Sequence, residues 1–245
     1  GRYSVWLTEA GMGRSSWQGS ALSRWSGDRV EDAEGWRIWL RDLDLGRSWP
    51  VLRPSSSRPP ARGLVTAGPG VFGWLQRDHG IETRLDVFVA PGHDAELRSI
   101  TVKNLSGRSR WIDLTGCLEL VLQDPGADAA HPAFSKLFVQ TVFDPVRQQL
   151  VATRRPRGAS DQHPSVAHAL VGEGAFSCET DRGRFLGRGR SWHRPAALAS
   201  IRALSGTVGS VLDPVFATRR AAVLAPGERR RWTFVLAAGA DSEQA

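Results

Sequence analysis

The sequence is poor in lysine, although it is strongly basic. Only Lys103 and Lys136 are lysines, so arginine supplies 30 of the 32 basic residues (32 − 2) behind the net charge of +7. These arginines are spread along the chain and form no basic block of the kind that polyanion-binding proteins carry. We therefore expect no nucleic acid partner.

Cysteine is equally scarce, and this limits the chemistry that the chain can carry. Cys117 and Cys178 are too few to define a disulfide framework, and neither lies in a metal-ligand spacing. The six histidines also show no clustered spacing typical of a metal site. We expect no metal and no other cofactor, and two reduced thiols in a cytoplasmic compartment.

Long apolar runs are missing too. No segment approaches the roughly 20 residues that a membrane span needs, and the start of the chain does not have the pattern of a signal peptide. Because Gly1 leads directly into the strand-like segment 3–8, we expect residues 1–245 to be a single domain excised from a longer protein. We place that protein at the cytoplasmic face, and leave open an anchor elsewhere in it that holds it in the inner membrane.

The sequence also lacks any helical repeat of apolar residues sustained over 11 or more positions. Instead, apolar and polar residues alternate with period two in segments separated by tight turns, which is typical of antiparallel sheets. We predict an all-β fold of packed antiparallel sheets with few short helices. The predicted strands are 3–7, 36–41, 81–89, 97–102, 111–122, 134–143, 150–153, 166–171, 176–180, 206–212, 216–224 and 231–236. The proline-rich segment 52–67 is predicted to be an exposed connection.

Residues 128–141 (DAAHPAFSKLFVQT) combine ionisable and apolar side chains in a polar entry that is followed by a strand-like alternation. The alternation predicts that Phe134, Leu137 and Val139 fix the strand in the sandwich. His131, Ser135 and Lys136 are then expected to face a partner domain or its substrate.

A glycine-rich loop is predicted within residues 1–35, and it holds Trp17, Arg24 and Trp25. Indole rings pack on the C–H faces of sugars while guanidinium groups donate to hydroxyls, so these three residues are a candidate platform for carbohydrate. The alternative is that the tryptophans simply cover a sheet edge.

Two arginine-rich segments give further candidates. Arg154 opens a polar loop, and Arg188 lies in the segment 181–190 (DRGRFLGRGR), where guanidinium groups could bind phosphate or sugar hydroxyls. The alternative for this second segment is a structural ion-pair loop with the acidic residues Glu179 and Asp181.

We expect no catalytic residue in this chain. Asp124 is more simply explained as a turn residue, and Glu119 is predicted to be a solvated carboxylate on the non-core face of its strand. Asp128, His131 and Ser135 are close in sequence, but no nucleophile-elbow pattern presents the serine.

Several long segments, taken in order, resemble one family. They are GRYSVWLTEAG, GIETRLDVFVAP, AHPAFSKLFVQT followed by ATRRPR, and ETDRGRFLGRGR leading to LSGTVGSVLDPVF. They resemble the β-sandwich domain of glycoside hydrolase family 94, in the branch of the cyclic β-1,2-glucan synthases. One departure is the opening loop GMGRSSWQGSALSRW, where the family has a Gly-Gly-Gly-Tyr-Ser-like run before an Arg-Trp pair, and only Arg24-Trp25 persists.

The resemblance implies a super-sandwich related to galactose-mutarotase-like domains. It also implies a following (α/α)6 barrel, absent from this chain, that carries the catalytic carboxylate. The implied partners are a β-glucan or oligosaccharide, the barrel of the same parent chain and a second copy in a homodimer.

Two functions therefore stand side by side. The first is an ancillary, carbohydrate-binding or structural domain of a β-glucan-processing enzyme, either a cyclising synthase or a phosphorylase. The second is an independent glucan-binding module.

Overall fold

The computed structural model describes residues 2–28, 30, 34–53, 62–158 and 161–245. Within these ranges the chain forms sixteen strands and three short helices. The first eight strands are β1 (Tyr3–Leu7), β2 (Gly13–Trp17), β3 (Ser20–Ser23), β4 (Arg37–Asp42), β5 (Arg47–Pro50), β6 (Arg62–Gly68), β7 (Val71–Asp78) and β8 (Ile81–Val89). The others are β9 (Ala95–Asn104), β10 (Arg110–Gln123), β11 (Val139–Asp144), β12 (Gln149–Arg154), β13 (Ser165–Val171), β14 (Ala175–Asp181), β15 (Pro214–Leu224) and β16 (Arg229–Gly239).

The helices are all brief. They are α1 (Pro125–Ala130), α2 (Pro132–Lys136) and α3 (Arg182–Leu186), and a single 3-10 turn covers Ala196–Leu198. Asp124 caps α1 by accepting a hydrogen bond from the backbone N–H of Ala127 at 2.9 Å, and Asp181 caps α3 in the same way through Gly183. None of these helices is long and apolar enough to span a membrane.

The strands form two eight-stranded antiparallel sheets. The first sheet has the order β1-β2-β3-β10-β15-β14, and β4 and β5 join it through the pairing of β4 with β10. The second sheet has the order β11-β12-β13-β16-β9-β8-β7-β6. This confirms the predicted all-β fold of packed antiparallel sheets with few short helices.

Strand β10 is the centre of the first sheet. One of its edges pairs with β15 over Arg110 to Glu119, and its other edge pairs first with β4 and then with β3. Between Leu120 and Gln123 the register shifts, and Leu122 takes a positive φ of 58°. This bulge lets one long strand serve two partners on the same edge.

The core lies between the two sheets and is rich in aromatic residues. Trp36, Phe216, Trp232 and Phe234 are fully buried there beside the aliphatic residues of β8, β9 and β10. A Cβ atom added at Gly116 would lie 2.5 Å from the ring of Phe234. Glycine at this position therefore lets an aromatic ring from the second sheet approach the backbone of β10.

The outer face of the first sheet is also covered, and this differs from the prediction. A smaller core on that face contains Trp39, Cys117, Phe185 and Leu198, supplied by β4, β10, α3 and the 3-10 turn. Strands β4 and β10 are buried on both faces because residues 182–204 fold back over them. Cys117 and Cys178 are both free thiols, and they lie on opposite faces of this sheet.

Three local predictions are corrected. The predicted strand 3–7 is β1, but the glycine-rich loop predicted after it contains the strands β2 and β3, and the segment 206–212 forms only an isolated bridge between Thr141 and Gly209. The strand predicted over residues 134–143 starts only at Val139, because Pro132 begins the short helix α2 just as Pro125 begins α1. Of the proline-rich connection, residues 54–61 lie outside the described residues.

Candidate functional site

Charged side chains from seven segments meet at the end of β10, beside α1, α2 and α3. We call this group the charged network, and it consists of Arg24, Arg37, Glu119, Asp128, Lys136, Arg182 and Asp213. Its four cations and three anions leave a local charge of +1 (4 − 3). The network joins the exit of β3, strands β4 and β10, all three helices and the residue that precedes β15.

Glu119 lies at the centre of the charged network. Its carboxylate oxygens are 3.3 Å from Nε of Arg182, 3.6 Å from Nε of Arg24 and 3.7 Å from Nη1 of Arg37. Glu119 is buried, so the prediction of a solvated carboxylate is wrong. The reason is that guanidinium groups from the exit of β3, from β4 and from α3 converge on Glu119, which is their shared counter-ion.

Two aspartates complete the charged network at its rim. Asp128 of α1 accepts from Nη2 of Arg24 at 3.0 Å, and Asp213 accepts from Nη1 of Arg182 at 3.0 Å. Asp213 also lies 2.6 Å from Nζ of Lys136. Ion pairs therefore link α1 to Arg24 and α2 to Asp213.

Trp192 lies beside the charged network. It belongs to residues 182–204, which fold back over the first sheet and which we call the excursion. The guanidinium carbon of Arg37 lies 3.9 Å from the centroid of the Trp192 ring, and that of Arg182 lies 5.1 Å from it. Burial lowers the pKa of Arg37, while the charge of Glu119 acts in the opposite direction. The negative face of the indole offers this buried cation a further favourable contact.

A second, uncharged contact holds α2 against β10. Ser135 accepts from Nε2 of Gln123 at 2.6 Å, and its backbone carbonyl accepts from Nη1 of Arg154 at 2.8 Å. Ser135 is only 3% exposed. The expectation that Ser135 faces a partner is therefore corrected, because the helix turns its hydroxyl inward.

The other residues of segment 128–141 divide between surface and core. Phe134 is 54% exposed and Leu137 is 47% exposed, so neither fixes a core strand, whereas Val139 is buried in β11 as predicted. His131 is exposed at the junction of α1 and α2, and Lys136 is half-buried in the charged network. The exposed apolar side chains of α2 lie beside charged groups at one end of the sandwich.

The three residues of the predicted carbohydrate platform do not act together. Trp17 is buried, and its Nε1 donates to Oδ2 of Asp94 at 2.8 Å. It lines a cavity of about 410 Å³ together with Arg2 and His93. Arg24 pairs with Asp128 in the charged network, and Trp25 is partly exposed.

The two arginine candidates, Arg154 and Arg188, lie in different environments. Arg154 is buried behind α2, whereas Arg188 is exposed after α3. The segment does form ion pairs, but Arg182 pairs with Glu119 and Asp213 and not with the expected Glu179 and Asp181. Arg184 pairs weakly with Asp181 at 3.8 Å.

Trp6, Arg14 and Trp192 were not among the candidate site residues named from the sequence. For Trp6 the sequence did indicate exposure, since the alternation in Tyr3–Leu7 puts Ser4 and Trp6 on the face opposite to the buried Tyr3. Trp192 had no such signal, because its position depends on the fold of the excursion. In the part of the chain that the structure describes, no three His, Cys, Asp or Glu residues are grouped to hold a metal.

Two packed eight-stranded antiparallel sheets define a supersandwich, and solved structures share this fold. A polysaccharide lyase matches with a TM-score of 0.55 and 14% identity, over 100% of this chain and 33% of its own. The Slr1438 protein from Synechocystis matches with a TM-score of 0.52 and 8% identity, over 98% of this chain and 92% of its own.

Sequence comparison then gives the family. The family model described as the glycosyl hydrolase 94 supersandwich domain matches residues 1–245, and the chain belongs to this family. It is 34% identical, over 99% of its length, to the cyclic beta-(1,2)-glucan synthase NdvB of Rhizobium meliloti (strain 1021), of which it spans 9%. It is 25% identical, over 85% of its length, to the N,N'-diacetylchitobiose phosphorylase of Vibrio proteolyticus, of which it spans 26%. The resemblance inferred from the sequence is confirmed.

Proposed function

We propose that this chain is an ancillary domain of a larger β-glucan-processing enzyme, where it supports a catalytic domain and borders its substrate cleft. The observation that carries the proposal is the match of the supersandwich family over residues 1–245, together with a relative of which the chain spans 9%. The relatives include both a glucan synthase and a phosphorylase, so the proposed parent is an enzyme of one of these two kinds.

The end of the sandwich that carries the charged network is the part that we propose faces the catalytic domain. It combines exposed apolar side chains, Phe134 and Leu137, with polar groups held in fixed positions by ion pairs. Interfaces within carbohydrate-active enzymes need both kinds of group, since apolar contacts supply affinity and rigid polar groups supply orientation. We further propose that His131, exposed between α1 and α2, and Arg188, exposed after α3, reach the substrate or the facing domain.

The test is made in the full-length parent protein with the double variant Phe134→Ser/Leu137→Ser. Loss of two exposed apolar contacts should loosen the docking of the domain, so turnover of the β-1,2-glucan should fall by about tenfold, the equivalent of about 1.4 kcal/mol. Initial rates over a range of oligosaccharide concentrations measure this, and calorimetry should show two separate unfolding transitions.

The matched control is Val171→Ser/Val223→Ser, which also removes two exposed apolar side chains but lies away from α2. We expect the control to keep the turnover of the parent. Equal turnover in both double variants and in the parent would refute docking through α2. Unchanged turnover and KM in His131→Ala and Arg188→Ala would refute the proposed contact with substrate.

The alternative function is an independent glucan-binding module. It is favoured by the Synechocystis structure, in which the shared fold accounts for 92% of the chain, so that chain carries no second large domain. Titration of the isolated chain with glucan tests whether it binds glucan with no catalytic domain present, and the α2 double variant in the full-length protein separates the two functions, because an independent module would leave turnover unchanged. A location at the cytoplasmic face and a homodimer are further proposals, and fractionation and light scattering test them.

A further inference from the structure

The outward face of the β1–β2 hairpin presents an aromatic surface that the charged network does not use. Trp6 of β1 is 60% exposed and lies directly opposite Arg14 of β2 in the antiparallel register. The guanidinium carbon of Arg14 lies 5.8 Å from the centroid of the Trp25 ring, just beyond β3. One arginine is thus flanked by two indoles, and we call these three residues the tryptophan shelf.

Hydrogen-bonding groups on the tryptophan shelf are left without partners. Nε of Arg14 and Nε1 of Trp25 are both buried, and neither has a hydrogen-bond partner among the described residues. On the same face of the hairpin, the neighbouring outward pair is Ser4 and Ser16, whose hydroxyls form a hydrogen bond of 3.0 Å. Both atoms are buried within the protein, but Arg14 as a whole is only half-buried, so its guanidinium group can still meet a ligand that supplies oxygen acceptors.

We propose that the tryptophan shelf binds a neutral oligosaccharide. The exposed indole of Trp6 provides an apolar plane for the C–H face of a sugar ring, while the half-buried guanidinium group of Arg14, beside the ring of Trp25, donates to its hydroxyls. The inference deepens the proposed function, since it takes its ligand class from it, but it names a site separate from the α2 end.

An anionic polymer fits the tryptophan shelf less well. A polyanion is bound by several cations in a row, whereas this surface offers Arg14 alone between two aromatic rings and two hydroxyls. Arginines elsewhere in the first sheet, such as Arg37 and Arg41, are buried and paired with carboxylates. The chemistry of the surface is that of stacking and neutral hydrogen bonding.

The test uses the 245-residue chain, titrated by calorimetry with a linear β-1,2-linked glucooligosaccharide. We expect saturable binding that Trp6→Ala and Arg14→Gln each weaken by about tenfold or more, as expected for a central aromatic or arginine contact. Trp6→Tyr should restore part of the affinity, since it keeps an aromatic plane. Because Trp6 is exposed, its variants should unfold at the same temperature as the parent chain.

The matched control is Trp111→Ala. Trp111 is another exposed tryptophan, but it lies nine residues before Leu120, where β10 meets β3, and so about 30 Å from the tryptophan shelf. Trp111→Ala should bind like the parent chain, and binding should change little between about 50 and 200 mM salt. No binding by the parent chain, undiminished binding by Trp6→Ala, or preferential salt-dependent binding of DNA would each overturn the inference.

The outcome can be separated from that of the proposed function. If the α2 double variant leaves turnover of the full-length protein unchanged while Trp6→Ala loses the oligosaccharide, docking through α2 fails and the tryptophan shelf stands. If turnover falls in the α2 variant while the isolated chain binds no oligosaccharide, the tryptophan shelf fails and the ancillary role stands.

Discussion

His168 lies between the two sheets, surrounded by the rings of Trp36, Phe216 and Phe234. Its Nδ1 faces the carbonyl of Val235 at 2.9 Å, and its Nε2 lies 2.9 Å from Oγ1 of Thr218. A carbonyl only accepts, so Nδ1 carries the proton and Nε2 accepts from the threonine hydroxyl. The neutral imidazole thus satisfies both of its nitrogens inside an aromatic core.

Acid should therefore destabilise the fold through His168. Burial lowers the pKa of His168 from 6.5 to about 4, so between these values the unfolded chain binds the proton and the folded chain does not. The free energy of unfolding should fall as the pH drops from about 6.5 to about 4, by about 3 kcal/mol for this group, and this contribution should level off below pH 4. Urea denaturation at a series of pH values measures it.

The control for the histidine is His168→Phe, which removes the titrating group. Its absolute stability will differ because Thr218 loses a partner, so the comparison is between the pH slopes. The variant should have a shallower slope than the parent chain over this pH range. Equal slopes would mean that other groups cause the acid sensitivity.

At the scale of elements, two buried arginines hold the excursion of residues 182–204 over the first sheet. Arg219 of β15 donates to the carbonyls of Ala197 and Arg202 at 2.6 and 3.0 Å. Arg41 of β4 donates to the carbonyl of Leu198 at 3.1 Å and shares the counter-ion Asp113 with Arg219. Side-chain donors thus satisfy backbone carbonyls of a segment that has little regular structure of its own.

Removing one of these arginines should release the excursion locally. Burial lowers the pKa of Arg219 to about 10, so the group is still charged at neutral pH. In Arg219→Met, amides of residues 197–202 should exchange with solvent about tenfold faster or more, because the opening of the segment becomes easier by about 1.4 kcal/mol. Hydrogen exchange followed by mass spectrometry measures this. The exposed residue Arg229, changed to Met, should leave the same amides unaffected.

The same elements show where sequence patterns suffice. The alternation in Ile81–Val89 and Ala95–Asn104 correctly gives a hairpin, since strands on a half-buried sheet repeat with period two. It fails for residues 128–141, where a spacing of polar and apolar residues compatible with a strand is overridden by two prolines that each begin a helix. The pattern of β4 gives the inward face correctly but cannot show that a distant segment covers the outward one.

The candidate site was less predictable than the fold, because its residues are brought together from elements that are distant in the sequence. Arg24 and Lys136 are members of the charged network, but their partners Glu119 and Asp213 are far away in the sequence and belong to elements that only the fold brings together. Trp17 and Trp25 are close in sequence, yet Trp17 turns inward to Asp94 while Trp25 stays outside. Proximity along the chain is a poor guide where strands send neighbouring side chains to opposite faces.

For the whole molecule, the decisive polar contact is the one that joins the two sheets. Glu96 of β9 in the second sheet is buried, and its carboxylate accepts from Nε1 of Trp36 at 2.7 Å and from Oγ of Ser15 at 2.6 Å. Both donors belong to the region of the first sheet. Glu96 also faces the buried guanidinium of Arg98, two residues along the same strand, at 3.1 Å. The carboxylate that accepts both hydrogen bonds from the first sheet is therefore also the counter-ion of a buried cation.

Neutralising Glu96 should therefore weaken the whole sandwich. In Glu96→Gln the buried charge of Arg98 loses its counter-ion, and the free energy of unfolding should fall by about 3–5 kcal/mol. The double variant Glu96→Gln/Arg98→Met removes the orphaned charge and should recover a large part of that loss, since an apolar side chain of similar length fills the site. Denaturant unfolding of the single and double variants measures the coupling.

Glu82→Gln, which breaks the exposed pair with Arg77, should cost about 1 kcal/mol or less. If Glu96→Gln proved as mild as Glu82→Gln, the Glu96 carboxylate would have no major role in stabilising the sandwich.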